Sequence, residues 1–455
     1  MVPLRQCALA FSAVVIAALS SACSTLRGDG LGPDGGLLAS DPARLIVVVL
    51  DNSSGAMRLE AGSTPRGYDR RGPYAVSDAA RATARALERS YELAPLREWP
   101  IVPLRVDCLV LRLAPHADRD EVLRRLAQDR RVRLAEPLQK FDTLAAPNAV
   151  LSKQTPRPPY NDPYFDLQWG FAALNAARAQ QWSQGRNVTV AIIDTGVDID
   201  HPDLAGRIDE VRNFVDDDMR AFRTDRHGTL VAGIIAAVAN NRVGIVGISP
   251  AARLDVLKAC EPLASGQLAS RCNSFTLALA LSDAIQAHAQ IVNLSLSGPA
   301  DPLLRELVQD GERRGMIFVG AMPPGTDLAG FPVGIPGVIA VQSSEAAWQP
   351  AAVVPAPGED VLSLAPGGHY DFATGSSFAA AHVSGALALL RSAAPQVPGD
   401  VLASSLRRSR ARMPAHGESV DVCTALQLVQ PLDRCASPLH AESGETAPLA
   451  QTSSD

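Results

Sequence analysis

The chain has no excess of basic charge, few cysteines and no apolar run of membrane-spanning length, and these absences narrow what it can be. Its 42 Lys and Arg residues are outnumbered by 48 Asp and Glu residues, which gives a net charge of −6. No stripe of basic residues stands out, so nucleic acid is not expected as a partner, because phosphate binding requires clustered basic charge. The apolar stretch at 8–19 is too short to cross a bilayer.

The first residues have the pattern of a targeting segment. Arg5 precedes the apolar stretch, which ends in Ser20-Ser-Ala-Cys23, and we predict a signal peptide over 1–22. Small residues before a cysteine are typical of the lipobox of bacterial lipoproteins, so Cys23 is the predicted lipidation site. Ordinary secretory cleavage after Ala22 is the alternative. Both readings predict export, to the bacterial periplasm, to a membrane through a lipid anchor, or out of the cell.

The composition predicts a large globular protein made of more than one unit. The 455 residues are 47% hydrophobic and 20% charged, which is ample for a large core. Residues 23–43 are rich in Gly, Ser and Asp and are predicted to be a flexible tether. A small unit over 44–142, a proline-rich linker over 143–159, a larger unit over 160–436 and a disordered tail over 437–455 complete the predicted organisation.

The small unit has the element order of a known module. Its pattern predicts a strand at 45–50, a helix at 78–93, a strand at 106–113, a short helix at 121–126 and a last strand at 131–141. This β-α-β-α-β order favours a split βαβ, ferredoxin-like α+β fold.

The larger unit alternates apolar strands with amphipathic helices. Strands are predicted at 188–194, 254–258, 291–296 and 317–321, and helices from His227, at 273–288, at 302–313 and from Ser377, with further helical pattern at 401–407 and a hairpin or helix at 423–435. Such alternation predicts an α/β fold with a mostly parallel sheet covered on both faces. Functional residues of such folds collect at the carboxyl edge of the sheet.

Three short segments of the larger unit hold an acid, a base and a nucleophile. Asp194 ends the apolar run in Ala191-Ile-Ile-Asp-Thr-Gly196, His227 opens His-Gly-Thr, and Ser377 lies in Gly375-Ser-Ser-Phe-Ala. A serine hydroxyl becomes a good nucleophile when an imidazole takes its proton and a carboxylate fixes that imidazole. A helix that starts at Ser377 also directs unpaired backbone N–H groups at a developing oxyanion. The order Asp, His, Ser is the subtilisin order.

At these residues the chain resembles the subtilisin-like (S8) serine peptidases, over roughly 160–395. Further matches are Tyr160-Asn-Asp-Pro-Tyr-Phe, Gln168-Trp-Gly, Asp200-His-Pro-Asp-Leu204, Gly244-Ile-Val-Gly-Ile-Ser-Pro250 and Ile291-Val-Asn-Leu-Ser-Leu-Ser297. The resemblance implies a three-layer subtilisin-like fold and an endopeptidase that acts on proteins or peptides through an acyl-enzyme. It assigns Asp194 as orienting acid, His227 as general base and Ser377 as nucleophile, with Ser376 in the place usually held by Thr.

The same resemblance gives the N-terminal unit a role. It looks like the propeptide of these enzymes, matched by element order and position, which packs on the protease, assists its folding and leaves its end in the active cleft. Self-cleavage is then expected in the linker. A permanent accessory domain is the alternative.

The family pattern also assigns a cleft. Ser295, Leu296 and Ser297 correspond to a wall that pairs with the bound peptide, and Gly320, Ala321 and Met322 correspond to the neighbouring strand end. Ser297 and Met322 stand where glycine is frequent, so we expect a restricted pocket and small side chains just before the scissile bond.

One departure bears on activity. The family usually places an Asn after the small-residue strand end to donate to the oxyanion, and here Pro323 takes that position, with no Asn or Gln anywhere from 311 to 341. Proline has no donor. Thr326, on the same loop, is the candidate substitute. The alternative function is therefore a pseudoprotease that keeps the fold as a peptide-binding module.

Cysteines and acids give the remaining expectations. Cys260 with Cys272 and Cys423 with Cys435 each close a short loop, which in an exported chain favours two disulfides over zinc. No cofactor is required by the chemistry. The acids at 216–218 offer oxygen ligands for calcium, although adjacent acids on a loop are usually just solvated.

Overall fold

A small α+β domain lies at the N-terminal side of the molecule. The computed structural model describes residues 42–52, 76–143, 160–413 and 416–430. The elements of the small domain are β1 (Leu45–Asp51), α1 (Asp78–Tyr91), β2 (Ala94–Ile101), β3 (Val106–Arg112), α2 (Arg119–Ala127) and β4 (Leu134–Pro137). Its strands are antiparallel in the order β2-β3-β1-β4. Helix α1 begins where the Ser77 hydroxyl accepts from the Ala80 N–H, and α2 begins at the Asp118 cap.

Two details of this domain differ from the sequence prediction. The segment predicted as one strand at 131–141 forms two strands, because β4 ends at Pro137, which has no N–H for the ladder, and β5 (Lys140–Thr143) belongs to another sheet. Strand β2 is absent from the sequence prediction, and it contains Pro95 and Pro100, which have no N–H for a ladder. It lies at the sheet edge and its register shifts between Pro95 and Arg97, which is where proline is tolerated.

The larger domain is built on a seven-stranded sheet in which every pair is parallel, as the alternating pattern predicts. Its strands are β6 (Thr189–Asp194), β7 (Ile208–Asn213), β8 (Arg253–Lys258), β11 (Ile291–Leu294), β13 (Ile317–Ala321), β14 (Ile339–Ser343) and β15 (Val354–Ala356). Their order in the sheet is β15-β14-β13-β11-β6-β8-β7. The central strands are buried on both faces, which explains their continuous apolar sequence.

Helices cover both faces of this sheet and complete three layers. On one face pack α6 (Arg226–Ala236) and α9 (Ser376–Ala393), and on the other α7 (Ser274–Gln286) and α8 (Pro302–Arg313). Helix α7 starts at an Asn273 capping box, and α8 starts at Asp301 with Pro302 in its first turn. Shorter helices are α3 (Trp169–Ala173), α4 (Ala176–Ala179), α5 (Met219–Thr224), α10 (Gly399–Arg408) and α11 (Val422–Val429).

A small antiparallel sheet joins the two domains. It contains β9 (Cys260–Pro262), β10 (Ser270–Asn273) and β12 (Leu296–Ser297) of the larger domain and β5 of the smaller, in the order β12-β5-β10-β9. The remaining strands form two pairs, β16 (Val361–Ala365) with β17 (His369–Ala373) and β18 (Arg410–Met413) with β19 (Gly417–Val420).

The two domains also share a hydrophobic core. One face of the small sheet, which includes Val47, Trp99 and Val110, belongs to the same buried cluster as helices α7 and α8. The Trp99 and Phe275 rings meet edge to face at 4.0 Å between centroids. Within the described ranges, no helix has the length and apolar character needed to cross a membrane.

Candidate active site

Strand β6 carries Asp194 to the carboxyl edge of the central sheet, and helix α6 carries His227 to meet it. His227 is the second residue of α6, and its Nδ1 lies 2.7 Å from Asp194 Oδ1 and 2.9 Å from Oδ2. Both side chains are fully buried. The contact fixes the imidazole with Nε2 facing away from the acid, and Nε2 has no hydrogen-bond partner among the described residues. The imidazole is therefore arranged to exchange a proton at Nε2.

Ser377 is the second residue of helix α9, which starts next to this pair. The ring of Phe378, the following residue, lies 5.6 Å from the His227 imidazole. The Ser377 hydroxyl donates to the Ser295 carbonyl oxygen at 2.9 Å, and the Ser295 hydroxyl donates back to the Ser377 carbonyl oxygen at 2.9 Å. These reciprocal bonds tie the helix start to the chain that follows β11. A turn of the Ser377 side chain toward Nε2 is what nucleophilic attack requires.

The other assigned residues divide into two groups. Ser295, Leu296 and Ser297 lie along the groove, where Leu296 and Ser297 pair with β5. Gly320 and Ala321 end β13 in the core, with Gly320 so close to Pro332 that a Cβ would lie 2.6 Å from it. Ser376 is beside Ser377, and its hydroxyl donates to the Met322 carbonyl oxygen at 2.6 Å.

Beside the groove lies a pocket of about 430 Å³, and its lining differs from the sequence expectation. It is lined by Ser297, Gly298, Pro299, Ala300, Pro323, Pro324, Asp327, Ala329, Gly330, Phe331 and Val333. Met322 is not among these residues, because its side chain is buried with Val333, Ala340 and Val353. Met322 therefore does not narrow the pocket as we expected from sequence.

The loop after β13 provides no side-chain amide for an oxyanion. Pro323, which the family pattern assigns to the oxyanion position, lies at the pocket wall. Thr326, the candidate substitute, is exposed and is not part of the pocket lining. Backbone N–H groups at the start of α9 remain the donors that this fold directs toward the nucleophile.

Strand β5 occupies the groove. Thr143 pairs with Leu296 and Asp142 with Ser297 on one side, and Phe141 pairs with Cys272 on the other. The end of the small domain thus lies as an extended strand between two walls, in the way an antiparallel peptide is bound by strand addition.

The sequence predicts one wall of the groove, residues 295–297, and gives no prediction of the other. The second wall is β10, in which Arg271 and Cys272 pair with β5, and Phe331 closes the groove further along. The sequence does contain one indication of this wall. Asn273 is a helix-capping residue directly before an apolar helix, so the segment that precedes it is held in place by the start of that helix.

The cysteines agree with the prediction where the structure describes them. Cys260 and Cys272 form a disulfide between β9 and β10, so the prediction of this pair is confirmed. Cys423 is buried in α11, while its predicted partner Cys435 and the predicted lipidation site Cys23 lie outside the described residues. Cys108 is a free, buried thiol whose pKa is raised by burial.

The acids at 216–218 act in local structure. Asp216 accepts from the Asn213 side-chain amide at 2.8 Å and from the Asp218 N–H at 2.9 Å, and Asp218 caps α5. Across the described ranges, no group of three or more His, Cys, Asp or Glu side chains is placed to hold a metal ion. His382 also has a structural position, since its Nδ1 lies 2.9 Å from the Phe378 carbonyl oxygen and burial lowers its pKa to about 4.

A buried Asp–His pair beside a serine at a helix start, next to a peptide groove, defines a serine peptidase site. Residues 185–419, just over half of the chain, match the sequence model described as the subtilase family, Peptidase S8. The chain therefore belongs to the subtilase family, and it is a serine endopeptidase by class.

Individual relatives support this assignment. The chain is 37% identical over 245 residues to an intracellular serine protease of Paenibacillus polymyxa, covering 50% of this chain and 73% of the relative. It is 32% identical over 243 residues to thermitase of Thermoactinomyces vulgaris, covering 51% and 85%. Among solved structures it resembles fervidolysin from Fervidobacterium pennivorans, a keratinolytic enzyme related to subtilisin, with a TM-score of 0.63 and 20% identity, covering 84% of this chain and 61% of that one. This last similarity bears on the fold.

Proposed function

We propose that this chain is an exported serine endopeptidase that cleaves its own N-terminal domain from the peptidase domain. Asp194, His227 and Ser377 are its catalytic residues, and the N-terminal domain is an inhibitory propeptide. The observation that carries this proposal is the position of β5, which fills the groove that leads to Ser377.

The chemistry follows from the arrangement of the three side chains. Ser377 Oγ attacks the substrate carbonyl carbon while His227 Nε2 takes the hydroxyl proton, and Asp194 holds the imidazole and stabilises its charged form. The carbon–nitrogen bond then breaks, and the proton passes from Nε2 to the leaving nitrogen. Water hydrolyses the remaining acyl ester by the same route, which returns the proton to Ser377.

The pairing register supports a particular cleavage site. In the antiparallel register Thr143 pairs with Leu296, which directly follows Ser295 in the chain, so a peptide bound in this way would present its next residue to Ser295. Ser295 is the residue whose carbonyl oxygen holds the Ser377 hydroxyl. We therefore expect the bond between Leu144 and Ala145 to be cut first, inside the stretch where the sequence predicts a linker.

The experiment is to express the full chain and its Ser377→Ala variant and to sequence the amino terminus of the fragments. The wild type should yield a fragment that begins at Ala145 and the variant should stay intact. Equal processing of both proteins would show that another protease cuts the chain. The wild-type fragment should also react at Ser377 with a fluorophosphonate probe, and His227→Ala should abolish the reaction.

The pseudoprotease remains the second candidate because Pro323 provides no donor at the oxyanion. Loss of the corresponding amide in a subtilisin lowers turnover about 10²–10³-fold. Such a loss slows an enzyme without silencing it, since the triad and backbone donors still act. Processed protein that never reacts with the fluorophosphonate would favour the binding module.

Export and lipidation are the part of the proposal that concerns residues outside the described ranges. It is supported by the apolar leader and by Cys23 after small residues. Cells grown with labelled palmitate should incorporate label into the wild-type protein. Incorporation that persists after Cys23→Ala, or no incorporation at all, would remove the lipid anchor from the proposal.

A further inference from the structure

This inference rests on the proposed function, in which β5 occupies the substrate groove, so that the contacts of β5 report what the groove recognises. Three consecutive side chains, those of Phe141, Asp142 and Thr143, meet three different environments. Each environment is built by groups of the peptidase domain. The groove therefore has a chemical pattern as well as a shape.

The environment of Thr143 is the most selective. Its side chain is 7% exposed, and its hydroxyl donates to the Leu268 carbonyl oxygen at 3.2 Å while accepting from the Ser270 N–H at 3.0 Å. A donor and an acceptor that face one buried point are satisfied together by a hydroxyl. Valine has the same shape as threonine but can satisfy neither group, and an unpaired buried polar group is costly.

The environment of Asp142 selects charge. Its Oδ1 lies 3.2 Å from Arg271 Nε, on the β10 wall. Both side chains are partly exposed, at 61% for Asp142 and 38% for Arg271, so solvent weakens this pair. An acid is preferred at this position, and the preference is smaller than that for the hydroxyl.

The environment of Phe141 anchors the segment. The ring is fully buried and meets Phe331 edge to face at 5.3 Å between centroids. Gly298 makes room for it, because a Cβ on this residue would lie 2.1 Å from the Phe141 ring. The space between Gly298 and Phe331 therefore accepts an aromatic ring only because residue 298 has no side chain.

We infer that the peptidase selects substrates with an acidic residue followed by a threonine or serine, directly before the residue that supplies the scissile carbonyl. The hydroxyl is the main discriminating group, read by the backbone of Leu268 and Ser270. Arg271 is a specificity-determining residue that reads the acid.

The first test uses quenched fluorescent peptides that contain Phe-Asp-Thr-Leu, with the processed wild-type enzyme. Replacing Thr by Val should lower kcat/KM by roughly 5- to 150-fold, while replacing Thr by Ser should preserve most of it. Replacing Asp by Lys should lower kcat/KM by about 2- to 5-fold. In the Arg271→Glu enzyme the preference should reverse, so that the Lys peptide has a higher kcat/KM than the Asp peptide.

Equal kcat/KM for the Thr and Val peptides would overturn the inference that the groove selects a hydroxyl. An Arg271→Glu enzyme that still prefers the Asp peptide would overturn the inference that Arg271 selects the acid.

The second test does not need catalysis, so it separates this inference from the proposed function. In the uncleaved Ser377→Ala chain, amide hydrogen exchange over 140–143 reports how firmly β5 is held. Adding Thr143→Val should speed this exchange by the same roughly 5- to 150-fold, and adding Thr143→Ser should change it little. Equal exchange in all three chains would contradict the inference even if the enzyme is active. Faster exchange in the Val variant together with no fluorophosphonate labelling of processed protein would support the selective groove and reject the protease.

Discussion

At the scale of single residues, one buried cation connects the elements that deliver the acid and the base. Lys258 ends β8 opposite Asp194 in the sheet and is 1% exposed. Its ammonium lies 2.5 Å from Asp225 Oδ2, which also accepts from the Gly196 N–H at 2.8 Å. Burial raises the pKa of Asp225, and the Lys258 charge opposes this effect. The pair therefore fixes the loop after Asp194 against the residue that precedes α6.

We predict that Lys258→Met destabilises the protein strongly, because it leaves the Asp225 charge buried without a partner. The expected loss in the free energy of unfolding is about 3–5 kcal/mol. Adding Asp225→Asn should recover most of it, since an amide oxygen can still accept from Gly196 without a charge. Chemical denaturation of both variants in the Ser377→Ala background, which avoids self-digestion, measures this. A double variant no more stable than the single one would contradict the role of the charge.

The residues that sequence could assign are those with a strict local pattern. Asp194, His227 and Ser377 each stand in a short motif at the end of a strand or the start of a helix, and the structure places all three at one edge of the sheet. Phe331 and Arg271 have no such pattern, because their roles arise from contacts with a segment more than 100 positions away. The expectation that Met322 narrows the pocket failed for a related reason. Its position after β13 does not determine the direction of its side chain, which packs in the core.

At the scale of secondary-structure elements, β4 brings an acid to the start of helix α8. Glu136 is 4% exposed and faces Asp301, the cap of α8. Burial, with the nearby Asp301 charge, raises the pKa of Glu136 from 4.5 to about 9. Other charged or titratable groups near it are Glu306 of α8, which pairs with Arg133, and the Cys108 thiol of β3. Docking of the small domain therefore favours a protonated Glu136.

We predict that the small domain is held more weakly as the pH rises. Because docking raises the pKa of Glu136, this residue stabilises the docked state fully below pH about 4.5, its ordinary pKa. The stabilisation is lost progressively as the pH rises toward about 9, its pKa in the docked state. The affinity should fall by up to about tenfold per pH unit within this window. This pH dependence can be measured from pH 5 to 9 as the rate at which peptidase activity appears after self-cleavage, when the small domain is released.

Glu136→Gln supplies the control for this pH dependence, because glutamine keeps the shape and cannot ionise. Its release rate should vary much less with pH than that of the wild type. The same slope in both proteins would show that another group governs release. The comparison of slopes cancels the pH dependence of catalysis itself, which both proteins share.

The alternation of elements in the larger domain was predictable, and the boundaries of short strands were not. The long apolar strands and the helices of a parallel sheet can be predicted from the spacing of apolar residues along the chain, as β6 and α9 show. Strands β5, β10 and β12 are two to four residues long and form through pairing between distant segments. No periodicity can appear over so few residues.

At the scale of the whole molecule, the two domains are joined by a groove-bound strand and by a shared apolar core. The order of apolar segments predicted most elements of each domain, but the face on which the two domains meet depends on packing between distant segments, which no local sequence pattern contains. Helices α7 and α8 present the peptidase side of this contact, and the small sheet presents the other. Trp99 is the largest side chain in this face of the small sheet, 4% exposed and in contact with Phe275.

We predict that Trp99→Ala loosens the small domain even while it stays covalently attached. Truncation of a buried Trp costs about 3–5 kcal/mol, and the loss falls on docking because the ring packs across the interface. In the uncleaved Ser377→Ala chain, an added protease should then remove the small domain roughly 150- to 5,000-fold faster, since cleavage tracks the population of the open form. Trp182→Ala, which truncates an exposed Trp on the peptidase domain, is the matched control and should leave the rate unchanged. Equal rates for the two variants would mean that the groove strand alone holds the domains together, and that the shared core contributes to folding of each domain without contributing to inhibition.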